Sequence, residues 1–278
     1  MTLAIAKAQR TGIEKLPFSE YRKRDGLNKS TITELLRSPL HAQYANLVAD
    51  TMTPSKLIGV AIHCAILEPN DFERKFKTLP EGHDGRTKEG KARIAEYSAT
   101  GATVLSFEQG QQVHGMASAI AKHPLAFNLL VDSERENEMS MFWQRGGCQC
   151  KARWDTVSKR YSYAADLKSC TDASLDAWRR TCVDYGYHIQ AAHYLDGMRA
   201  NGLNIDKFYF VCVESSPPHA VAIFELDEGF LSVAEDQIGK ALILYRQCMD
   251  SGLWPGYPQS VQNVLCPSWL VDQHTFAE

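Results

Sequence analysis

The sequence predicts an α/β (α+β) fold, and three observations carry that reading. Two short segments rich in β-branched, aromatic and small residues, 152–157 and 161–168, are separated by a tight turn at Ser158-Lys159-Arg160. A second such pair, 208–214 and 220–226, flanks Ser215-Ser216-Pro217-Pro218. Stretches with apolar residues at helical spacing precede, separate and follow these pairs.

At 278 residues and 44% hydrophobic content, the chain can bury the core of one large domain. Residues 1–27 carry mixed charge without periodicity, so the expected division is an N-terminal arm over 1–25 and a single domain over 26–278 with a C-terminal strap. Lys and Arg number 30 against 33 Asp and Glu, a net charge of −3, so a nucleic-acid partner needs a local basic patch. The eight cysteines are scattered, with no C-x-x-C pair, and several sit in apolar runs such as Val211-Cys212-Val213. Buried thiols in a reducing compartment are the expectation. No window approaches 18 apolar residues, and Lys7 and Arg10 come too early for a signal peptide, so a soluble, cytoplasmic protein is expected, with no membrane contact.

Taken in order, Thr31-Ile32-Thr33-Glu34 reads as a capping box opening a helix that stops before Pro39, and 41–48 as a second helix. Pro54 suits the first turn of a third, running to Leu67 and ended by Pro69. Gly59 and His63 share one face of that helix, and His63 is either a core histidine or a ligand. Residues 80–92 are polar, with Gly82, Gly85 and Gly90 among Arg86, Lys88 and Lys91. They read either as a solvated loop or as a mobile segment that grips phosphate, with a helix from Arg93. Ser106 opens another helix, broken at His123-Pro124, and a short one follows to Val131. In the strand 138–143, Met139, Met141 and Trp143 share a face, and Gly146-Gly147 turns the chain into the next strand. Helices are expected over 171–181, 186–200 and 233–249; in the second, Tyr187, Gln190 and Tyr194 line one side. The tail, with Trp254-Pro255-Gly256-Tyr257 and Pro267-Ser268-Trp269-Leu270, reads as the strap.

The strand pair 152–168 carries the chemistry. Asp166 and Lys168, two apart in a strand, project to one side, and Asp155 stands on the neighbouring strand. A D-x-K triplet alone is commonly a solvated strand face. With a second carboxylate it becomes a place where oxygen ligands could hold a hard divalent cation and an ammonium could stabilise a developing anion.

Gly59…His63, then Glu138, Asp155, Asp166-Leu167-Lys168 and Gln190…Tyr194, in that order, resemble the RecB-like branch of the PD-(D/E)xK nuclease superfamily. Within that branch the wording is similar to RecE-type (exodeoxyribonuclease VIII) nuclease domains: Leu27-Asn28-Lys29-Ser30, His63-Cys64-Ala65-Ile66-Leu67-Glu68-Pro69, Tyr187-His188-Ile189-Gln190 and Pro267-Ser268-Trp269. The resemblance runs from about Gly26 to Leu270. It implies a PD-(D/E)xK restriction-endonuclease-like core, a central mixed sheet flanked by helices. It implies a metal site of His63, Glu138, Asp155, Asp166 and the Leu167 carbonyl, holding Mg²⁺ with Mn²⁺ as a substitute. Asp155, Asp166, Lys168, Gln190 and Tyr194 are the implied catalytic set, and Arg86, Lys88 and Lys91 the expected DNA contacts. The cysteines of iron–sulfur relatives are not matched, so no iron–sulfur cluster is expected. The implied activity is 5′→3′ exonuclease action on linear double-stranded DNA, leaving 3′ overhangs for a single-strand annealing (RecT-like) protein, by a ring-shaped homo-oligomer. A Cas4-like or restriction-type nuclease, or an inactive DNA-binding module of the same fold, are the alternatives.

Overall fold

The two strand pairs expected from the sequence belong to one six-stranded sheet. The computed structural model describes residues 10–47, 51–83, 85–131 and 134–268, the side chain of Asn46 excepted. The chain first forms β1 (Gly12–Glu14), α1 (Phe18–Lys23), α2 (Lys29–Arg37), α3 (Pro39–Leu47), α4 (Pro54–Leu67) and α5 (Pro69–Lys75). From Arg10 on, the expected arm is therefore built into the body. α4 has the bounds its sequence sets: the Thr53 side chain accepts from Lys56 N, and Pro54 fills the first turn, where its missing N–H costs nothing. α2 starts earlier than Thr31 because Asn28 is the cap, its Oδ1 accepting from Thr31 N at 2.9 Å.

A lobe follows, with β2 (Phe76–Thr78), α6 (Lys88–Ala99) and β3 (Thr103–Leu105); β2 and β3 pair in parallel as a separate small sheet. The loop expected over 80–92 is shorter than that. The Thr87 side chain accepts from Gly90 N at 3.0 Å, so Lys88 and Lys91 lie in the first turns of a helix. Then come α7 (Phe107–Lys122), opened by a reciprocal Ser106/Gln109 capping box, and α8 (Pro124–Leu130).

The main sheet is completed by β4 (Glu136–Arg145), β5 (Cys148–Ser158), β6 (Tyr163–Cys170), β7 (Lys207–Glu214) and β8 (Val221–Glu225), in the order β1-β4-β5-β6-β7-β8. Gly146 and Gly147, at φ +55° and +77°, supply the two left-handed residues of the β4–β5 turn. Every pairing is antiparallel except β6–β7. A parallel pair needs a crossover, here α9 (Leu175–Asp184) and α10 (Tyr187–Ala200). α9 begins later than expected because Ser174 caps it. α11 (Glu228–Ser251) begins earlier than expected, with the Asp227 side chain accepting from Phe230 N.

Strand alternation divides the core. On β7, Phe208, Phe210 and Cys212 join a cluster with Trp143, Trp154, Trp178, Ile189 and Ile238, under α2, α10 and α11. Val211 and Val213 join Ile58, Ile62, Met116, Ile120 and Leu130 of α4, α7 and α8 on the other face. The sheet is thus covered on both faces. The strap is seated through its first residues: Leu40 N donates to Pro255 O at 3.0 Å, Trp254 meets Tyr245 edge-on, and Tyr257 lies against His41. Farther on Val261 is 99% exposed, while Trp269 and Leu270, like Lys7, lie outside the described residues. The cysteines are free thiols, six of the eight buried. No helix among the described residues is long and apolar enough to cross a membrane.

Candidate metal centre

β5 and β6 pair only through Thr156↔Ala165, Val157↔Ala164 and Ser158↔Tyr163. The next pair in that register is Asp155 and Asp166, and there the ladder stops. Like charges directly opposite one another oppose pairing. The resulting fork lets Asp155 reach across, its Oδ2 accepting from Leu167 N at 2.8 Å. The β4–β5 ladder also skips one position, between Asn137↔Thr156 and Met139↔Trp154, where Glu138 falls opposite Asp155. Glu138 has φ +57°, a left-handed backbone that costs a non-glycine residue about 1–3 kcal/mol and gathers at functional sites. Three carboxylates therefore stand in one row across three neighbouring strands.

His63 comes to this row from α4. Its Nε2 lies 2.6 Å from Leu167 O, and its Nδ1 3.4 Å from Asp155 Oδ2. A carbonyl only accepts, so Nε2 carries a proton, and Nδ1 is the ring nitrogen that faces the carboxylate. A histidine that binds a metal is held in this way, one ring nitrogen on a carbonyl and the other on the ion. The Leu167 carbonyl, expected as a ligand, is here the group that orients His63. One ligand atom each from His63, Glu138 and Asp155 lie within 4.8 Å of one another. Two carboxylate oxygens and an imidazole nitrogen suit a divalent cation. Burial, and next the charge on Asp166, pushes the Asp155 carboxyl up to about 7, against the pull of His63. A bound cation would reverse that penalty, so the residues present fit one. Glu138 is held in place by Arg153, whose Nε donates to it at 2.7 Å.

Asp166, 3% exposed, is gripped from two sides. Gln190 Nε2 of α10 donates to its Oδ1 at 2.5 Å, and Lys168 Nζ stands 2.5 Å from its Oδ2. The i, i+2 spacing in β6 thus brings Asp166 and Lys168 together as expected. Burial is the largest influence on Lys168 and opposes its charge, but Asp166, Tyr187 and Asp155 together outweigh it and hold the ammonium above its ordinary range. Lys168 Nζ also sits 4.7 Å from the centre of the Tyr187 ring. Tyr194, one turn beyond Gln190, meets Phe208 edge-on, and burial pushes its phenol well up. Sequence reasoning placed Tyr187 in the α10 stripe without a role, and it missed Arg153. The signal for Arg153 was available, two residues before Asp155 on the same strand face.

These groups share a cleft of about 2410 Å³ that they line with Gly59, Lys29 and α1. Twelve Lys and Arg side chains line it against seven Asp and Glu, an excess of five cations in a chain of net charge −3. Arg86, Lys88 and Lys91 are not among them. They are exposed on the lobe, where Arg86 borders a second hollow with Leu79, Ile94 and Phe107.

A family described as a PDDEXK-like domain of unknown function (DUF3799) matches residues 29–264. The fold is similar to the crystal structure of a candidate exonuclease from Eubacterium rectale, with a TM-score of 0.65 and 11% identity, over 95% of this chain and 100% of that one. A phage-related exonuclease from Haemophilus somnus 129PT aligns with a TM-score of 0.37 and 11% identity, over 82% of this chain and 97% of that one. No curated protein matches the chain in sequence.

Proposed function

The chain belongs to the PDDEXK-like family DUF3799, and from that premise we propose that it is a divalent-metal-dependent nuclease. The observation that carries the proposal is the row Glu138, Asp155, Asp166, joined by His63 and Lys168 at the floor of a cation-lined cleft. His63, Glu138 and Asp155 would hold the cation, which supplies Lewis acidity toward a phosphodiester and toward water. The chain's own groups do the rest. Lys168, kept charged by Asp166, faces the negative charge that grows on the phosphate as its ester bond breaks. Gln190 fixes Asp166, and through it the place of the ammonium. Asp155, bonded to Leu167 N, is locked before substrate arrives, so little reorganisation accompanies the reaction.

The finer reading is a 5′→3′ exonuclease on linear double-stranded DNA that uses Mg²⁺, or Mn²⁺ in its place. Acting in the cytoplasm, it would leave 3′ overhangs for a RecT-like annealing protein. The order of the motifs supports it, as does a cleft whose cations suit a phosphate backbone. A ring-shaped homo-oligomer would gather several such clefts around one duplex. The test uses linear duplex labelled at either end and covalently closed circular duplex, each with Mg²⁺, Mn²⁺ or EDTA. Metal-dependent release of nucleotides from the 5′ ends of linear DNA alone is expected. Equal attack on circles would overturn the exonuclease reading, and inertness toward every substrate with either metal would overturn the nuclease.

A further inference from the structure

Two cations share one aromatic ring at the inner end of the cleft. Lys168 Nζ lies 4.7 Å from the Tyr187 ring centre and Lys29 Nζ 5.4 Å. Their situations differ. Lys168 is neutralised by Asp166 at 2.5 Å. Among the described residues no carboxylate or carbonyl oxygen pairs with Lys29 Nζ, and the Tyr187 ring is its neighbour. The position is nevertheless built. The Asn28 cap sets Lys29 at the start of α2, and the head of α10 packs beside its stem, where a Cβ added at Gly186 would stand in ordinary contact with Lys29 Cε at 3.6 Å. Lys29 is half-buried, and burial, then the charge on Lys168, lowers its ammonium to about 8, with Asp166 opposing. A half-buried cation beside a second cation is held at a cost until an anion arrives. An ammonium has three donors and no acceptor, which suits phosphate oxygens.

We infer that Lys29 is a phosphate-binding residue, its ammonium taking a phosphodiester oxygen of the strand that reaches Lys168. The inference rests on the nuclease reading and names a contact for its substrate outside the metal-binding set.

Lys29→Met keeps the stem and removes the charge, whereas Lys29→Arg keeps both. Binding of a fluorescein-labelled short duplex is followed by anisotropy in EDTA across a salt titration, and kcat and KM are measured in Mg²⁺. Loss of one phosphate contact should weaken Lys29→Met roughly eightfold at about 0.1 M salt and reduce the log–log salt slope by about 0.9. KM should rise more than kcat falls, Lys29→Arg should restore the slope, and the Tm of Lys29→Met should equal or exceed that of the wild type. A Lys29→Met protein with wild-type affinity and slope overturns the assignment, as does an arginine variant no better than the methionine one. In either case a wild type that cleaves leaves the nuclease reading standing. A wild type that neither binds nor cleaves DNA ends both.

Discussion

Cations gather in two regions of this molecule, and only one of them faces the acids. In the cleft two of them are tied to the backbone. Lys151 Nζ donates to Tyr21 O and Arg22 O at 3.3 and 3.4 Å and also to Arg24 O, so it closes the C-terminal end of α1. Arg153 holds Glu138 and also donates to Leu16 O at 2.6 Å. On the lobe, Lys88 and Lys91 stand exposed in the first turns of α6, at the helix end whose dipole opposes positive charge. The glycine-rich run 80–91 looked like the phosphate-gripping segment because composition suggests mobility. The cations nearest the reactive row come instead from α2, β5 and β6, as Lys29, Arg153 and Lys168, which packing holds in place.

The comparison can be broken most sharply at the floor. Asp166→Ala or Lys168→Ala should lower nucleotide release by about 10²–10³-fold or more, since each removes part of one electrostatic unit. Asp166 is buried and Lys168 partly so, and each variant should also lose stability, on the order of 3–5 kcal/mol, by leaving its partner unpaired. Asp166→Asn/Lys168→Met should recover part of that in calorimetry while staying inactive. Near-wild-type turnover in any of these folded proteins would move the reactive centre elsewhere.

His63→Ala comes next, with activity down by roughly 10²-fold. The lost bond to Leu167 O should cost about 1 kcal/mol, or about 2–4 °C in Tm. Unchanged activity would make His63 a packing residue.

A third test needs only pH and metal. The folded protein raises the Asp155 carboxyl from the ordinary 3.8 to about 7, so it binds that proton better than the unfolded chain does. The stability this contributes is complete below the ordinary value and is lost as pH rises through about 7. Metal-free Tm should therefore fall over that window, and Mg²⁺ should raise Tm more at pH 8 than at pH 5. Asp155→Asn should flatten the metal-free curve; if it does not, another group governs it.

The smallest effect belongs to the lobe. Arg86→Ala should leave kcat unchanged and shift the salt slope of DNA binding by no more than about 0.9, the share of one phosphate. A fall in kcat would bring the lobe into the site.

The strands and most helices could be read from local signals: period-two runs around Asp155 and Asp166, Pro54 and Pro69 bracketing α4, Gly146-Gly147 between β4 and β5. Local rules missed elements that tertiary pairing creates. β1 is three residues held by β4, β2 and β3 are three residues each held by one another, and α5 follows Pro69 where a stop was expected. The D-x-K spacing put Asp166 beside Lys168, whereas the fork that joins Asp155 to Leu167 depends on where a ladder ends, which no spacing encodes. The role of Lys29 was illegible for the same reason: its neighbours Tyr187 and Gly186 arrive from far along the chain.

The parallel pairing of β6 with β7 sets an order in time. A ribosome that has released the chain only through Cys170 has already delivered Asp155, Asp166 and Lys168 on adjoining antiparallel strands, a local hairpin. The flank of β6 is still open then, because β7 follows only after the two crossover helices, and one of those helices carries Gln190. Strand pairing over such separations is slower than that of a local hairpin. A half-made copy of this protein therefore holds its acids without the clamp on Asp166, and cutting power arrives late in synthesis, when the crossover closes.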